Sequence, residues 1–214
     1  MPQANAFLND YCLPRNRRTG HFTNRELTTI AVLAALHFAV SFAARMAGGV
    51  LYVFLGPWSV FVDGIGGEGI PCLLLAVTIT LIPRVGTVTA AILTVWLLNA
   101  IVSGTLTLTS AQQVAVSVIA HELVLALTFV TISISPRQRK HASAWSEVLR
   151  TALALGIANS AALYSQFFIY IEFYDQYFPS YYIHQVSLIT GFGYGSVGAA
   201  IGTIWGRRLR RTAP

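Results

Sequence analysis

The sequence predicts an all-α polytopic membrane protein, a bundle of six transmembrane helices with a re-entrant or capping segment after the first. The first observation is composition. Of 214 residues, 55% are hydrophobic and only 10% are charged, whereas a soluble domain carries about a quarter charged residues. The second is patterning. The apolar residues come in long runs, and runs of roughly 18 or more read as bilayer spans. The third is charge placement. The net charge is +6, and the Lys and Arg residues gather in clusters that flank the apolar runs. Arg15, Arg17, Arg18 and Arg25 precede the first run, Arg84 sits in a short break, Arg137, Arg139, Lys140 and Arg150 mark the largest internal polar loop, and Arg207, Arg208, Arg210 and Arg211 end the chain. A nucleic-acid surface needs its basic residues on one exposed face. Clusters at the ends of apolar runs instead follow the positive-inside rule and place both termini in the cytoplasm, with attraction to anionic lipid headgroups as a side effect.

Taken in order, residues 1–24 read as a basic cytoplasmic tail, 25–208 as the six-helix membrane domain and 209–214 as a second basic tail. The first apolar run begins near Leu27 and no soluble domain follows it, so it reads as a span rather than a signal peptide. Thr23 with Glu26 three positions on forms a capping-box pattern. The first span extends from Leu27 to about Ala44, a rise of about 27 Å. The stretch from Val50 to Ile82 is apolar but broken by Gly56-Pro57 and by Gly64, Gly66, Gly67, Gly69 and Pro71. Two full spans there would put the N-terminal arginines on the side opposite the other clusters. Leu51 to Val62 is therefore read as re-entrant or capping, and Gly67 to Ile82 as the second span, which leaves Arg45 as the exception to the charge rule.

The remaining spans are Gly86–Ser103, Gln112–Ile134, Val148–Tyr170 and Val186–Trp205. Thr105–Ser110 and Glu172–His184 are outer loops without Lys or Arg, and Pro136–Ser146 is cytoplasmic. Cys12 falls in the tail and Cys72 in an apolar run, a pair that predicts neither a disulfide nor a metal cluster.

Small residues recur on two spans. Ala31, Ala35, Ala39 and Ala43 lie four apart on the first, and Gly191, Gly195, Gly198, Gly202 and Gly206 lie three or four apart on the last. In lipid, small residues allow close backbone approach between helices. The alanine stripe is read either as packing within this bundle or as a groove for a helix of another protein. The glycines around Phe192 and Tyr194 are no dinucleotide fingerprint, because they follow no strand and have the wrong spacing.

The run from Phe22 to Phe42, with Arg25-Glu26-Leu27 at its head and the alanine-rich helix behind it, resembles the first helix of substrate-binding (S) components of energy-coupling factor transporters. The stretch from Ile82 to Ala91 is similar to the inner turn between that family's second and third helices. The resemblance extends over Arg25 to Arg208. It implies a substrate-capture subunit of a prokaryotic plasma-membrane importer for a vitamin or vitamin precursor; the acidic groups near the expected pocket suggest a cationic or hydrogen-bond-donating heterocycle, such as thiamine or its pyrimidine precursor. Partners are a transmembrane coupling subunit, docked on Ala31, Ala35 and Ala39, and two cytoplasmic ATPases. No Walker A pattern occurs in this chain, so ATP hydrolysis belongs to the partners, and the chain itself is read as a transport subunit without cofactor and not as an enzyme.

The resemblance places the ligand near the outer helix ends, which nominates Trp58, Asp63 and Glu68, then Asn99, then Gln166, Tyr170 and Glu172. Aromatic faces stack on a planar heterocycle while carboxylates and amides bond its edge. Glu122 joins them because an ionisable group inside a span is a functional candidate by default. Tyr174, Tyr177, Phe178, Tyr181 and Tyr182 read rather as an interfacial aromatic belt, and His37 as an interhelical hydrogen bonder. Two enzyme readings fail on spacing. His121-Glu122 lacks a second His, since Leu125 stands there, and no Gly-x-Ser-x-Gly elbow occurs. A non-catalytic assembly subunit, with the small-residue stripes as interfaces, remains the main alternative.

Overall fold

The structure, a computed structural model, describes residues 21–59, 64–104, 107–133 and 144–212. Within them the secondary structure is entirely helical, in six main helices. Helix α1 is Asn24–Leu55, α2 is Ile65–Leu81, α3 is Thr87–Ser103, α4 is Leu108–Ser133, α5 is Ala144–Tyr174 and α6 is Ser180–Thr212. Helices α1, α4, α5 and α6 are long and apolar enough to cross a membrane; α2 and α3 are apolar but shorter.

The expected capping box opens α1. The Thr23 side chain accepts from the Glu26 backbone N–H at 3.3 Å, and Glu26 accepts from the Thr23 N–H at 2.8 Å. The far end differs from expectation. Leu51 to Leu55 is not a separate re-entrant segment but the last turn of α1, which continues through Arg45, Gly48 and Gly49. An interior glycine costs a helix only about 1 kcal/mol, so two of them do not end it. The stop comes at Gly56, whose φ of +54° an L side chain resists, followed by Pro57 in a short 3-10 turn, Gly56–Trp58. Val60 to Asp63 lie outside the described residues.

The helices close a ring in the order α1, α3, α4, α5, α6, α2, and α2 also touches α3 and α5. Helix α2 is thus the most enclosed element, and its Cys72, Leu75, Ala76 and Ile79 meet Val88, Leu125, Leu155 and Ala199 from four other helices in the main core cluster. That enclosure explains why α2 is apolar on every side.

The α6 glycines serve this bundle. Gly198 packs on the Gly69 backbone, Gly202 on the Leu73 carbonyl, and Gly206 on Thr80. The α1 alanines do not. Ala31, Ala35, Ala39 and Ala43 are all exposed, while Ile30, Ala34 and Ser41 on the other face are buried.

The described members of the basic clusters lie at one end. Arg84 Nε pairs with Glu26 Oε1 at 2.8 Å and Arg84 Nη1 donates to the His21 carbonyl at 2.9 Å. Arg207 Nη1 lies 3.6 Å from Glu147 Oε2. The contact between Gly206 and Thr80 brings these two groups of charges to the same end of the bundle.

Candidate functional site

A partly buried polar cluster lies where two π-helical segments face each other. One, Ile65–Gly69, opens α2; the other, Val186–Tyr194, lies near the start of α6. A π-turn departs from the regular α-helical hydrogen-bond ladder, and such turns are frequent at functional sites. Glycines make the approach possible here: a Cβ on Gly64 would sit 2.6 Å from the Tyr194 ring, and one on Gly191 would sit 3.1 Å from Ser160 Cα. Between the segments, Asn159 of α5 donates from Nδ2 to Glu68 Oε2 at 2.7 Å and to the Gly191 carbonyl at 3.2 Å. A Cβ on Gly195 would lie 3.3 Å from that amide nitrogen and 3.4 Å from Cys72 Sγ, so the buried thiol sits beside the pair. A carboxylate held by one neutral amide in a helical bundle retains acceptor capacity for a hydrogen-bond donor or a cation.

Asn99 belongs to a different pair. Its Oδ1 accepts from Arg45 Nη2 at 2.7 Å, and its Nδ2 donates to the Val95 carbonyl at 3.0 Å. Glu122 has a third role. Its Oε1 accepts from the backbone N–H groups of Gly86 and Thr89, at 3.1 and 3.3 Å, and from the Thr89 hydroxyl at 3.0 Å. It therefore caps the N-terminus of α3 from α4, where the helix dipole favours negative charge. Replacing Glu122 by alanine should lower stability by about 2 kcal/mol, the scale of a lost charged cap, and detergent-solubilised protein should show this as an earlier thermal transition; an unchanged transition would remove the capping role.

The aromatic residues divide. Phe167, Tyr170, Phe178 and Tyr182 form one cluster, with Phe167 and Phe178 edge to face at 5.1 Å and Tyr170 6.2 Å from Phe178. Tyr174 touches Tyr170 and donates to Gln112 Oε1 at 3.2 Å. Tyr177 and Tyr181 are exposed, as a belt requires. Trp58 is 70% exposed in the 3-10 turn, and Glu172 is exposed on the last turn of α5 rather than in a loop. Gln166 is half-buried on α5. Asp63 lies outside the described residues. An open, mostly apolar groove between α5 and the start of α6 is lined by Tyr164, Phe168, Ile171, Ile183 and His184, and the Tyr164 hydroxyl meets His184 Nδ1 at 2.9 Å; Tyr164 was a polar candidate of the fifth span, but none of the residues expected nearest the ligand lines it. His37 makes no hydrogen bond to a described residue, and His121 is buried with Nδ1 2.8 Å from the Ser117 carbonyl.

The structure thus places Glu68 and Asn99 in two polar pairs and Glu122 in a cap. Asn159, a polar residue of the fifth span that was a candidate by position but not among those expected nearest the ligand, and Arg45, which was not nominated, complete those pairs. Arg45 had a sequence signal as the exception to the charge pattern; Asn159 had only its polarity within a span. No protein-family model, curated protein or solved structure compared with the chain matches it.

Proposed function

We propose that the chain is the membrane-embedded substrate-capture subunit of an energy-coupling-factor type importer, crossing a prokaryotic plasma membrane six times with both termini in the cytoplasm. Its cargo is a vitamin or vitamin precursor of the thiamine class, and its partners are a transmembrane coupling subunit and two cytoplasmic ATPases. The observation that carries this reading is the exposed alanine face of α1. Ala31, Ala35 and Ala39 leave a smooth strip unused by the bundle, the surface a partner helix needs for close approach in lipid. The Glu68–Asn159 pair supports a cargo contact, because a carboxylate there accepts from the ring or amine N–H of a heterocycle. The shorter α2 and α3, at about 25 Å each, approach the roughly 30 Å hydrocarbon layer, and the arginines gathered at one end support the orientation.

Affinity purification of the tagged chain from its native membrane tests the reading. A coupling subunit with two ATPases, and a stoichiometric heterocycle in the extract, is the expected result. Ala35→Trp, on the exposed face, should cut the recovered coupling subunit at least tenfold while leaving the thermal midpoint of the isolated chain unchanged. A non-catalytic assembly subunit is favoured by the separation of the nominated residues into distinct networks. Recovery of a membrane complex without ATPases, and without a small molecule, would establish that second reading and end the first.

A further inference from the structure

Arg45 stands apart from the other cations. Among the described residues, every other Lys or Arg belongs to the end marked by Arg84 and Arg207, including Arg25, Arg150 and the arginines of the last α6 turn. Arg45 lies about 30 Å along α1 from the first residue of that helix, at the level of the opposite end. Its partners among the described residues are neutral. Nε donates to the Ser41 carbonyl at 3.4 Å and Nη2 to Asn99 Oδ1 at 2.7 Å. The Asn99 amide is itself anchored on the Val95 carbonyl, which fixes the oxygen that holds the guanidinium. The ion pairs of Glu26 with Arg84 and of Glu147 with Arg207 lie at the other end.

Two more polar groups lie one turn away along the same two helices. The Ser41 hydroxyl, one turn before Arg45 on α1, and the Trp96 indole N–H, one turn before Asn99 on α3, are buried without a hydrogen-bond partner among the described residues. Guanidinium and indole groups donate only. Buried donors without acceptors cost free energy, and a cation at the edge of hydrocarbon does so without a counter-charge. The guanidinium carries five N–H donors, of which the Ser41 carbonyl and Asn99 Oδ1 engage two, and an oxygen-bearing anion supplies acceptors for the others, through the short bonds that guanidinium forms with carboxylate and phosphate.

We propose that Arg45, positioned by Asn99, binds an oxyanion, the carboxylate or phosphate group of a small solute, at the α1–α3 contact. This deepens the capture reading by giving its cargo an anionic group, recognised apart from the Glu68–Asn159 pair. The same chemistry resides in a phospholipid headgroup, and the test separates the two sources.

The full chain in phosphatidylcholine nanodiscs is titrated with inorganic phosphate and with succinate, followed by calorimetry and tryptophan fluorescence. The expected result is a saturable response to one of them, weakened at least tenfold in Arg45→Gln, partly restored in Arg45→Lys and unchanged in Arg150→Gln. If Arg45→Gln does not fold, Asn99→Ala replaces it and should weaken the response at least threefold. Three results overturn the proposal: no saturable response of the wild type, equal titrations for wild type and the Arg45 or Asn99 variant, or a response in detergent that vanishes in nanodiscs, which would assign the arginine to a lipid headgroup. The coupling module is absent from the titration, so its outcome is independent of whether that module co-purifies.

Discussion

Gly198→Leu should lose about 3 kcal/mol or more of stability, the largest effect of any single substitution considered for this fold. A Cβ at Gly198 would run into the Gly69 carbonyl, a backbone atom on α2 that no rotamer change can move aside. Overpacking a close helix contact costs about 1–3 kcal/mol even for small additions, and leucine adds three further carbons. Gly202 has the same relation to the Leu73 carbonyl, so Gly202→Leu should behave alike. Because α2 is the enclosed helix, separating it from α6 opens the core around Ala76 and Ala199. Gly67→Ala is the control: a Cβ there meets nothing within 4 Å, and the change should be neutral or stabilising by up to about 1 kcal/mol. Thermal unfolding in detergent reads all three. A Gly198→Leu protein that melts with the wild type would show that the seam is not closely packed.

The second large effect concerns Glu68. Asn159→Leu removes the amide that donates to the carboxylate and to the Gly191 carbonyl, and should destabilise by about 2–3 kcal/mol, the cost of leaving a charged group and a carbonyl without their partner. Glu68→Gln keeps an acceptor for Asn159 and should cost under about 1 kcal/mol. The double variant Glu68→Met with Asn159→Leu should be more stable than the sum of the single losses, by about 1 kcal/mol or more, because no stranded polar group is left. Strict additivity would mean that the two side chains do not interact in the membrane-embedded protein. Under the capture reading, Glu68→Gln also lowers retention of the co-purified heterocycle at least tenfold, and retention at the wild-type level would release Glu68 from cargo binding.

Much of the helix pattern was legible in the chain. Long apolar runs are local properties, and so are the Thr23–Glu26 capping box and the turn from Ile82 to Gly86; the box and the turn took the expected form. The end of α1 was misplaced because Arg45 and two glycines look like a boundary. Asn99 supplies an acceptor for that cation, and the backbone continues until a positive φ stops it. The helical start of α6 at Ser180 was read as part of the outer loop Glu172–His184, which lies between two apolar spans. The tight turn after Tyr174, with Asp175 at φ +48°, leaves room for Ser180–Gln185 to wind before the π-helical segment.

The functional residues were less legible, for a physical reason. Glu122 looked like a stranded carboxylate until the N-terminus of α3, more than thirty positions earlier, came beside it. Glu68 meets Asn159 at a separation of 91 residues, and Arg45 meets Asn99 at 54. Composition and hydropathy by themselves determined that the protein is helical, where its apolar segments lie and which of its ends is basic, because these follow from transfer free energies and local backbone preference. Only the tertiary structure decided which small-residue stripe is spent inside the bundle and which is left outside, and which polar groups satisfy one another. Those outcomes depend on the rotation and neighbour of each helix, and in a bilayer these are set by packing and hydrogen bonding between segments far apart in the chain.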